Sequence, residues 1–480
     1  MQPKSDFSLK KTALAIVTMG SFLTPFMSSS INLALPSIAK EFASGTFLLS
    51  WVATSYILAS AAFLVPFGRL ADIIGRKKIF TLGVFIFLIS SILCGLAWSI
   101  ETLIFFRMIQ GLGGAMIFGT SMAILTSIFP PQERGRVLGL NVAAVYIGLS
   151  LGPVLGGAIN HNLGWHYLFF LPALICLPLA YFLLFKLPGE WKGAEGEKYD
   201  LTGAVLYAVG ISAFIYGFSS VTASPWAKYI LVLGLVFLAV FIRYAMKLEQ
   251  PVLNLRLFSG NKTFAFSTLA ALINYSATFA LGFILSIYLQ IIMGFTSQGA
   301  GLILLSQPVM MALLSPFAGK LSDIAEPRLV ASLGMGLCTL GLLVFAFINI
   351  NTPLWLIVLN LIVLGMGFAL FSSPNSNAAM GAVEKRFYGV ASATLGTMRL
   401  IGQAISMAIV TLILAIYVGN MELSLAPGDL IIKGSKITFI VFAVLCLCGI
   451  FPSLARGNIN TAGASERLQQ MPDNRYNIPG

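Results

Sequence analysis

Long apolar runs, separated by short charged or Gly- and Pro-bearing segments, occupy the chain almost end to end. They are Thr12 to Leu35, Phe47 to Phe67, Ile79 to Trp98, Leu103 to Phe129, Val137 to Ile159, Trp165 to Phe185, Leu201 to Phe218 and Tyr229 to Ala245. The remainder are Phe264 to Leu289, Ala300 to Phe317, Leu329 to Ile348, Leu354 to Ala378, Tyr388 to Val418 and Ile437 to Ala455. About 20 apolar residues carry a helix across a hydrocarbon layer roughly 30 Å thick. Backbone polar groups inside a bilayer must be paired within their own segment, so these runs are expected to be helices. The pattern predicts an all-α polytopic membrane protein of about 14 spans.

The polar segments between the runs repeat. Gly68-Arg69-Leu70-Ala71-Asp72-Ile73-Ile74-Gly75-Arg76-Lys77-Lys78 follows the second run, and Gly319-Lys320-Leu321-Ser322-Asp323-Ile324-Ala325-Glu326-Pro327-Arg328 follows the tenth. Glu133-Arg134-Gly135-Arg136-Val137, before the fifth run, resembles Arg386-Phe387-Tyr388-Gly389-Val390-Ala391, before the thirteenth. Both pairs lie eight spans apart, so two six-helix units with two helices inserted between them are expected. The divisions are residues 1–190 and 261–456 for the six-helix bundles, 191–260 for a linker with two added helices, and 457–480 for a disordered tail. Such repeats place binding sites near the midplane between the halves.

Charge orients the chain. The proposed outer loops carry only Lys40, Lys228, Lys433 and Lys436, while the other loop lysines and arginines fall on the opposite side. The positive-inside bias therefore predicts both termini in the cytoplasm of a cell whose plasma (inner) membrane holds the protein. It also accounts for the net charge of +12 without a nucleic-acid partner. At 58% hydrophobic and 10% charged residues, the chain leaves no material for a large soluble domain. The five cysteines lie within apolar runs without metal-ligand spacing, so neither metal nor cofactor is expected.

Three sets of residues carry candidate chemistry. In the first charged segment Asp72 and Arg76 are spaced to meet on a helix, with Gly68 and Gly75 permitting tight backbone geometry. With Asp323 and Arg328 in the repeat they form a candidate conformational latch, against the alternative of a basic loop that only sets topology. In the fifth run Gly139, Gly148, Gly152-Pro153 and Gly156-Gly157 lay small residues along one face, where another backbone approaches closely. Two cations, Arg107 and Arg399, fall inside spans and are expected to face the protein interior or a wet cavity. Gly148-Leu149-Ser150-Leu151-Gly152 spells a hydrolase elbow without its strand-turn-helix setting, and Asn261-Lys262-Thr263 spells a glycosylation site on the inner side. There is no phosphate-binding loop, so uphill transport requires an ion gradient and no enzymatic activity is expected.

The Gly68 to Lys78 segment, Arg107-Met108-Ile109-Gln110-Gly111 and the Gly139 to Gly157 pattern resemble the hallmark motifs of the major facilitator superfamily. The glycine-proline pattern is similar to its antiporter motif. With two inserted helices, Tyr288-Leu289-Gln290 and Ser373-Pro374-Asn375-Ser376-Asn377, the chain resembles the 14-span drug:proton antiporters over nearly its whole length. The resemblance implies a major facilitator fold working by alternating access, with protons and small amphipathic molecules as partners and a monomer in the lipid bilayer. Asn32, Gln110, Tyr146, Asn274, Tyr275, Gln307, Arg399 and Gln403 are the implied cavity residues.

One position departs from that family. Met27 stands where many members carry aspartate, and no acidic residue falls mid-span. Proton-coupling candidates are therefore Glu101, six residues and about 9 Å of helix before Arg107, then Arg107 itself and Asp72. His161 and His166, of the residue type that switches charge nearest neutrality, fall in the outer loop before and into the sixth run. The missing carboxylate leaves open a second expectation, an exporter of one endogenous neutral or anionic metabolite. A non-transporting sensor or enzyme is the remaining alternative.

Overall fold

The computed structural model describes residues 3–31, 34–43, 46–219, 225–417 and 427–457. Among these, fourteen helices are long and apolar enough to cross a membrane. The first bundle comprises α1 (Pro3–Ser30), α2 (Thr46–Ile74), α3 (Arg76–Gly95), α4 (Ile100–Ile128), α5 (Pro131–Asn162) and α6 (His166–Phe185). The inserted pair is α7 (Leu201–Ser219) and α8 (Ala227–Ala245). The second bundle comprises α9 (Lys262–Ile292), α10 (Gln298–Ile324), α11 (Pro327–Ala346), α12 (Leu354–Gly381), α13 (Tyr388–Tyr417) and α14 (Gly428–Ala455). The expected tail beyond Gly457 lies outside the described residues.

The helices differ from the apolar runs at their charged ends. α2 continues through Gly68 to Ile74, so the charged segment is helical up to Gly75, which alone separates α2 from α3. Gly75 has φ +131°, a conformation open mainly to glycine. α10 likewise absorbs Gly319 to Ile324. Hydropathy stops at the first charge, whereas a helix persists while its backbone is paired and its charges find partners. The same reason starts α14 at Gly428, ahead of Lys433 and Lys436. Leu35, expected at the end of the first span, begins a separate short helix, Leu35–Phe42.

Helix ends bearing Arg69, Arg76, Arg136, Lys320 and Lys385 gather at one end of the molecule, called the basic end below. The two bundles meet mainly along α2 against α13 and α5 against α10. α7 packs over the α2–α13 side of this seam, with Trp51 stacked on Tyr216 at 5.7 Å and Tyr207 Oη donating to Thr397 Oγ1 at 3.2 Å. α8 packs on α7 and leaves Val232, Val236 and Val240 exposed, as a lipid-facing helix must. α9 is interrupted near Phe279, where the Ala280 N–H donates to Ser406 Oγ of α13 at 3.0 Å, and it ends in a π turn, Tyr288–Ile292.

The polar segment between α6 and α7 is held closely to the basic end. Glu190 accepts the Lys77 and Lys78 N–H groups at 2.8 and 3.1 Å, satisfying donors at the start of α3 that have no intrahelical partner. Gly193 and Ala194 donate to the Asp72 carbonyl at 3.0 and 2.9 Å. Asp200 then ties the inserted pair together, accepting from Gly203 N at 2.8 Å, Val252 N at 3.2 Å and Tyr244 Oη at 3.3 Å. Its replacement by alanine is expected to cost about 1 kcal/mol, as loss of a helix cap does. Hydrogen–deuterium exchange checks this: amides around Gly203 and Val252 should exchange faster in Asp200→Ala, and unchanged rates would contradict the role.

Candidate functional site

At the basic end each bundle offers a carboxylate to a helix start of the other. Asp72, at the end of α2, accepts the Gly389 N–H at 2.8 Å on Oδ1 and the Val390 N–H at 3.0 Å on Oδ2. Asp323, at the end of α10, accepts the Gly135 N–H at 2.7 Å and the Arg136 N–H at 2.9 Å in the second turn of α5. Exposed partial positive charge at a helix N-terminus favours an anion there, and a charged acceptor roughly doubles a hydrogen bond's strength. These contacts need the helices nearly backbone to backbone. A Cβ added to Gly68 would lie 2.6 Å from the Gly389 carbonyl oxygen, and Gly135 and Gly319 meet in the same manner.

The two carboxylates are supported differently. Arg76 donates from Nε and Nη2 to Asp72 Oδ1 at 2.9 and 2.7 Å, from Nη1 to Ser127 Oγ at 2.6 Å, and across the seam to the Lys385 carbonyl. Its counterpart by sequence, Arg328, does not reach Asp323. It pairs with Glu326 at 2.6 Å, and Asn377 at 3.3 Å is the side chain on Asp323. Pro327 opens α11 and sets Arg328 beside Glu326, two residues before it, whereas Asp72 and Arg76 keep the i, i+4 spacing.

Above this seam a cavity of about 260 Å³ lies between the bundles. Thr24 and Ser28 of α1, Tyr56 of α2, Phe118 of α4 and Arg399 and Gln403 of α13 are on its wall. A smaller space, of about 30 Å³, continues past Arg399 towards Tyr146, Tyr275 and Asn375. Arg399 borders both and is the one charged residue among the described residues that line them. Its guanidinium lies 5.5 Å from the Phe118 ring and 5.4 Å from the Tyr275 ring.

Of the candidates for this wall, Tyr146, Tyr275, Arg399 and Gln403 are in place. Gln110 is buried behind it, receiving Arg107 Nη1 at 2.5 Å and donating to Ser91 Oγ at 2.7 Å. Asn274 is fully buried and lines neither space, and neither does Gln307. Asn32 lies outside the described residues. Phe118, Ser28 and Phe279 carry no sequence signal that separates them from ordinary packing residues.

Arg107 and Glu101 are not brought together. Glu101 is exposed in the first turn of α4, whereas Arg107 is fully buried, donates from Nε to the Val52 carbonyl at 2.9 Å and lies 4.4 Å from the Tyr56 ring. A rise along the helix gives separation in depth, and here that depth divides solvent from core. His161 is exposed, and His166 lies 3.5 Å from Glu41 at the end opposite the basic one. Gly139 packs against Ser315 and Pro316 of α10, while Gly148, Gly152 and Gly156 pack against α1, so the small-residue pattern serves both the seam and the bundle. Gly157 is partly buried and Pro153 is exposed within the helix. Arg456, which the apolar runs leave in a loop, is buried as well. It closes the basic end of the second bundle, donating to Asn375 Oδ1 at 2.7 Å and the Pro327 carbonyl at 3.1 Å.

Two six-helix bundles closing on a central cavity define a membrane transporter. The family profile of the Major Facilitator Superfamily matches residues 17–273 and 267–465, and the chain belongs to that family. It is 30% identical over 403 residues to the riboflavin transporter RibZ of Clostridioides difficile, covering 83% of this chain and 87% of that protein. It is 30% identical over 406 residues to the multidrug resistance protein Stp of Mycobacterium tuberculosis, with 83% and 74% coverage. Multidrug resistance protein 3 of Bacillus subtilis is 29% identical over 413 residues, with 83% and 79% coverage. These named relatives support the expected kinship with multidrug efflux members. The crystal structure of the human organic anion transporter MFSD10 shares the fold, with TM-score 0.66 at 14% identity, covering 92% of this chain and 99% of that one.

Hydrogen bonds to a charged group contribute about 1.5–3 kcal/mol each. Losing about 2 kcal/mol of seam contact in Asp72→Asn is expected to shift the population towards an open basic end by ~30-fold. Spin labels at Lys78→Cys and Lys320→Cys, both exposed, with exposed Cys448 replaced by serine, report it as a longer interbundle distance. Asp323→Asn, at a partly exposed carboxylate, should shift it less. Identical distance distributions in all three proteins would sink the latch.

Proposed function

We propose that the protein is a secondary active exporter of amphipathic organic compounds, driven by proton antiport and working by alternating access. The observation that carries this reading is the reciprocal docking of Asp72 on α13 and Asp323 on α5, beneath a cavity bounded by both bundles. Releasing that seam opens the cavity to the basic end, and reforming it turns the cavity to the other side. The basic end is then cytoplasmic by the positive-inside bias, with both termini there, and the membrane is the plasma (inner) membrane. The reading treats the chain as a monomer, since the seam and cavity are complete within one chain.

The cavity wall suits amphipathic molecules. Tyr56 and Phe118 supply aromatic surface, and Thr24, Ser28 and Gln403 supply hydroxyl and amide groups. Relatives named for riboflavin and for multidrug resistance are in keeping with such cargo. Proton coupling is assigned to the seam rather than the cavity. Protonation of Asp72 would remove the charge that holds Gly389, Val390 and Arg76, so one proton and the opening motion share a group. Glu101, exposed and apart from Arg107, is the weaker candidate.

A second reading is favoured by the absence of a carboxylate among the described cavity residues: the cargo is one endogenous neutral or anionic metabolite. Everted vesicles holding a proton gradient test the first. Addition of riboflavin or of an amphipathic drug panel should consume the gradient in protein-bearing vesicles and not in control vesicles. No response to any of these compounds would reject drug antiport. In the same assay a response to one compound of the panel and to none of the others would favour the metabolite reading.

A further inference from the structure

Four deeply buried arginines each place at least one guanidinium donor on a protein acceptor. Arg69 pairs with Glu197, Arg76 with Asp72, Arg107 with the Val52 carbonyl and Gln110, and Arg456 with Asn375 and the Pro327 carbonyl. Arg399 is the exception. It is half-buried, borders both parts of the central cavity, and makes no hydrogen bond or ion pair among the described residues. Its contacts are the Phe118 and Tyr275 rings, which attract the cation but accept no N–H in the guanidinium plane. A guanidinium has five such donors in a fork that matches a carboxylate, and leaving them without acceptors inside a protein costs free energy.

We infer that Arg399 is the anion-binding residue of the central cavity, and that the cargo is an aromatic organic anion whose carboxylate takes the open edge of the guanidinium. Three further observations point the same way. No acidic side chain lines either space among the described residues, so no carboxylate there competes for Arg399 or draws in a cation. Tyr146 and Tyr275 line the smaller space together with Arg399, so aromatic surface lies next to the guanidinium. The larger space adds the aromatic side chains of Tyr56 and Phe279 to its wall. A cationic amphipath in the same space would face the guanidinium across a low-dielectric cavity, which costs rather than stabilises.

This inference rests on the transport reading but is tested apart from it. The full chain, purified in detergent, is titrated with 2-naphthoate, 2-naphthamide and 2-naphthylmethylammonium, three probes of one shape and different charge, and binding is read from thermal stabilisation. The carboxylate should bind at least about tenfold more tightly than the amide, and the ammonium most weakly. Arg399→Gln should remove the preference while leaving amide binding, and Arg399→Lys should keep part of it, because an ammonium retains the charge but not the fork. Equal binding of the three probes, binding led by the ammonium, binding of none up to their solubility, or a preference that survives Arg399→Gln overturns the assignment. Should Arg399→Gln fail to fold, the ranking in the unaltered protein decides alone. The interbundle label distances separate the two readings: halves that still exchange while the anion preference is missing reject the cargo class only, and halves that do not exchange reject transport.

Discussion

Everything at the seam depends on letting a carboxylate of one bundle sit on the helix start of the other. Buried charge is costly without compensation, and Asp72 is compensated from both sides: Gly389 and Val390 offer N–H groups from the opposite bundle, and Arg76 offers a guanidinium from its own. The arrangement holds only while α2 and α13 touch backbone to backbone, which Gly68 and Gly389 permit. Separation of the bundles therefore leaves Asp72 with Arg76 alone and exposes the helix start to water. Contacts of this kind favour two discrete arrangements over a continuous range, the requirement for a moving element with defined end states.

The polar segment between α6 and α7 adds a second attachment at the same place. It hydrogen-bonds to the Asp72 carbonyl through Gly193 and Ala194, and it caps α3 through Glu190. The inserted helices are then positioned by Asp200 and lie over one side of the seam, where α7 touches both α2 and α13. The insertion is thus not a spacer hung between two bundles. It covers one of the two crossings, so the two sides of a nearly symmetric seam are unlike.

The cavity is asymmetric as well. Among the described residues its hydroxyl and aromatic wall comes largely from the first bundle, through Thr24, Ser28, Tyr56 and Phe118, and its one cation comes from the second. A site divided in this way is complete only while both bundles face it. The interruption of α9 at Phe279, which borders the cavity, lies beside the same helix, α13, that carries Arg399.

Much of the fold was legible in the residues alone, because a bilayer admits so few solutions: each apolar run had to become a helix, and all fourteen did. The repeated charged segments also showed that the two bundles correspond. What linear reading could not supply was which copies meet. Asp72 lies against the start of α13 and Asp323 against the second turn of α5, so each landmark docks on the other landmark's counterpart across the seam. Helix spacing joins Asp72 to Arg76, whereas Arg328, placed in the latch by the repeat of the charged segment, pairs with Glu326 at the start of a proline-opened helix. The cavity was the least legible part. Phe118 and Phe279 look like any packing residue, and Arg107 and Arg399 look alike as mid-span cations, one enclosed by backbone and amide partners and the other open to the cavity. Hydropathy and local spacing determine where chain crosses the membrane; which side chains face water, lipid or each other is decided by helix rotation and bundle contact, and these belong to the tertiary structure.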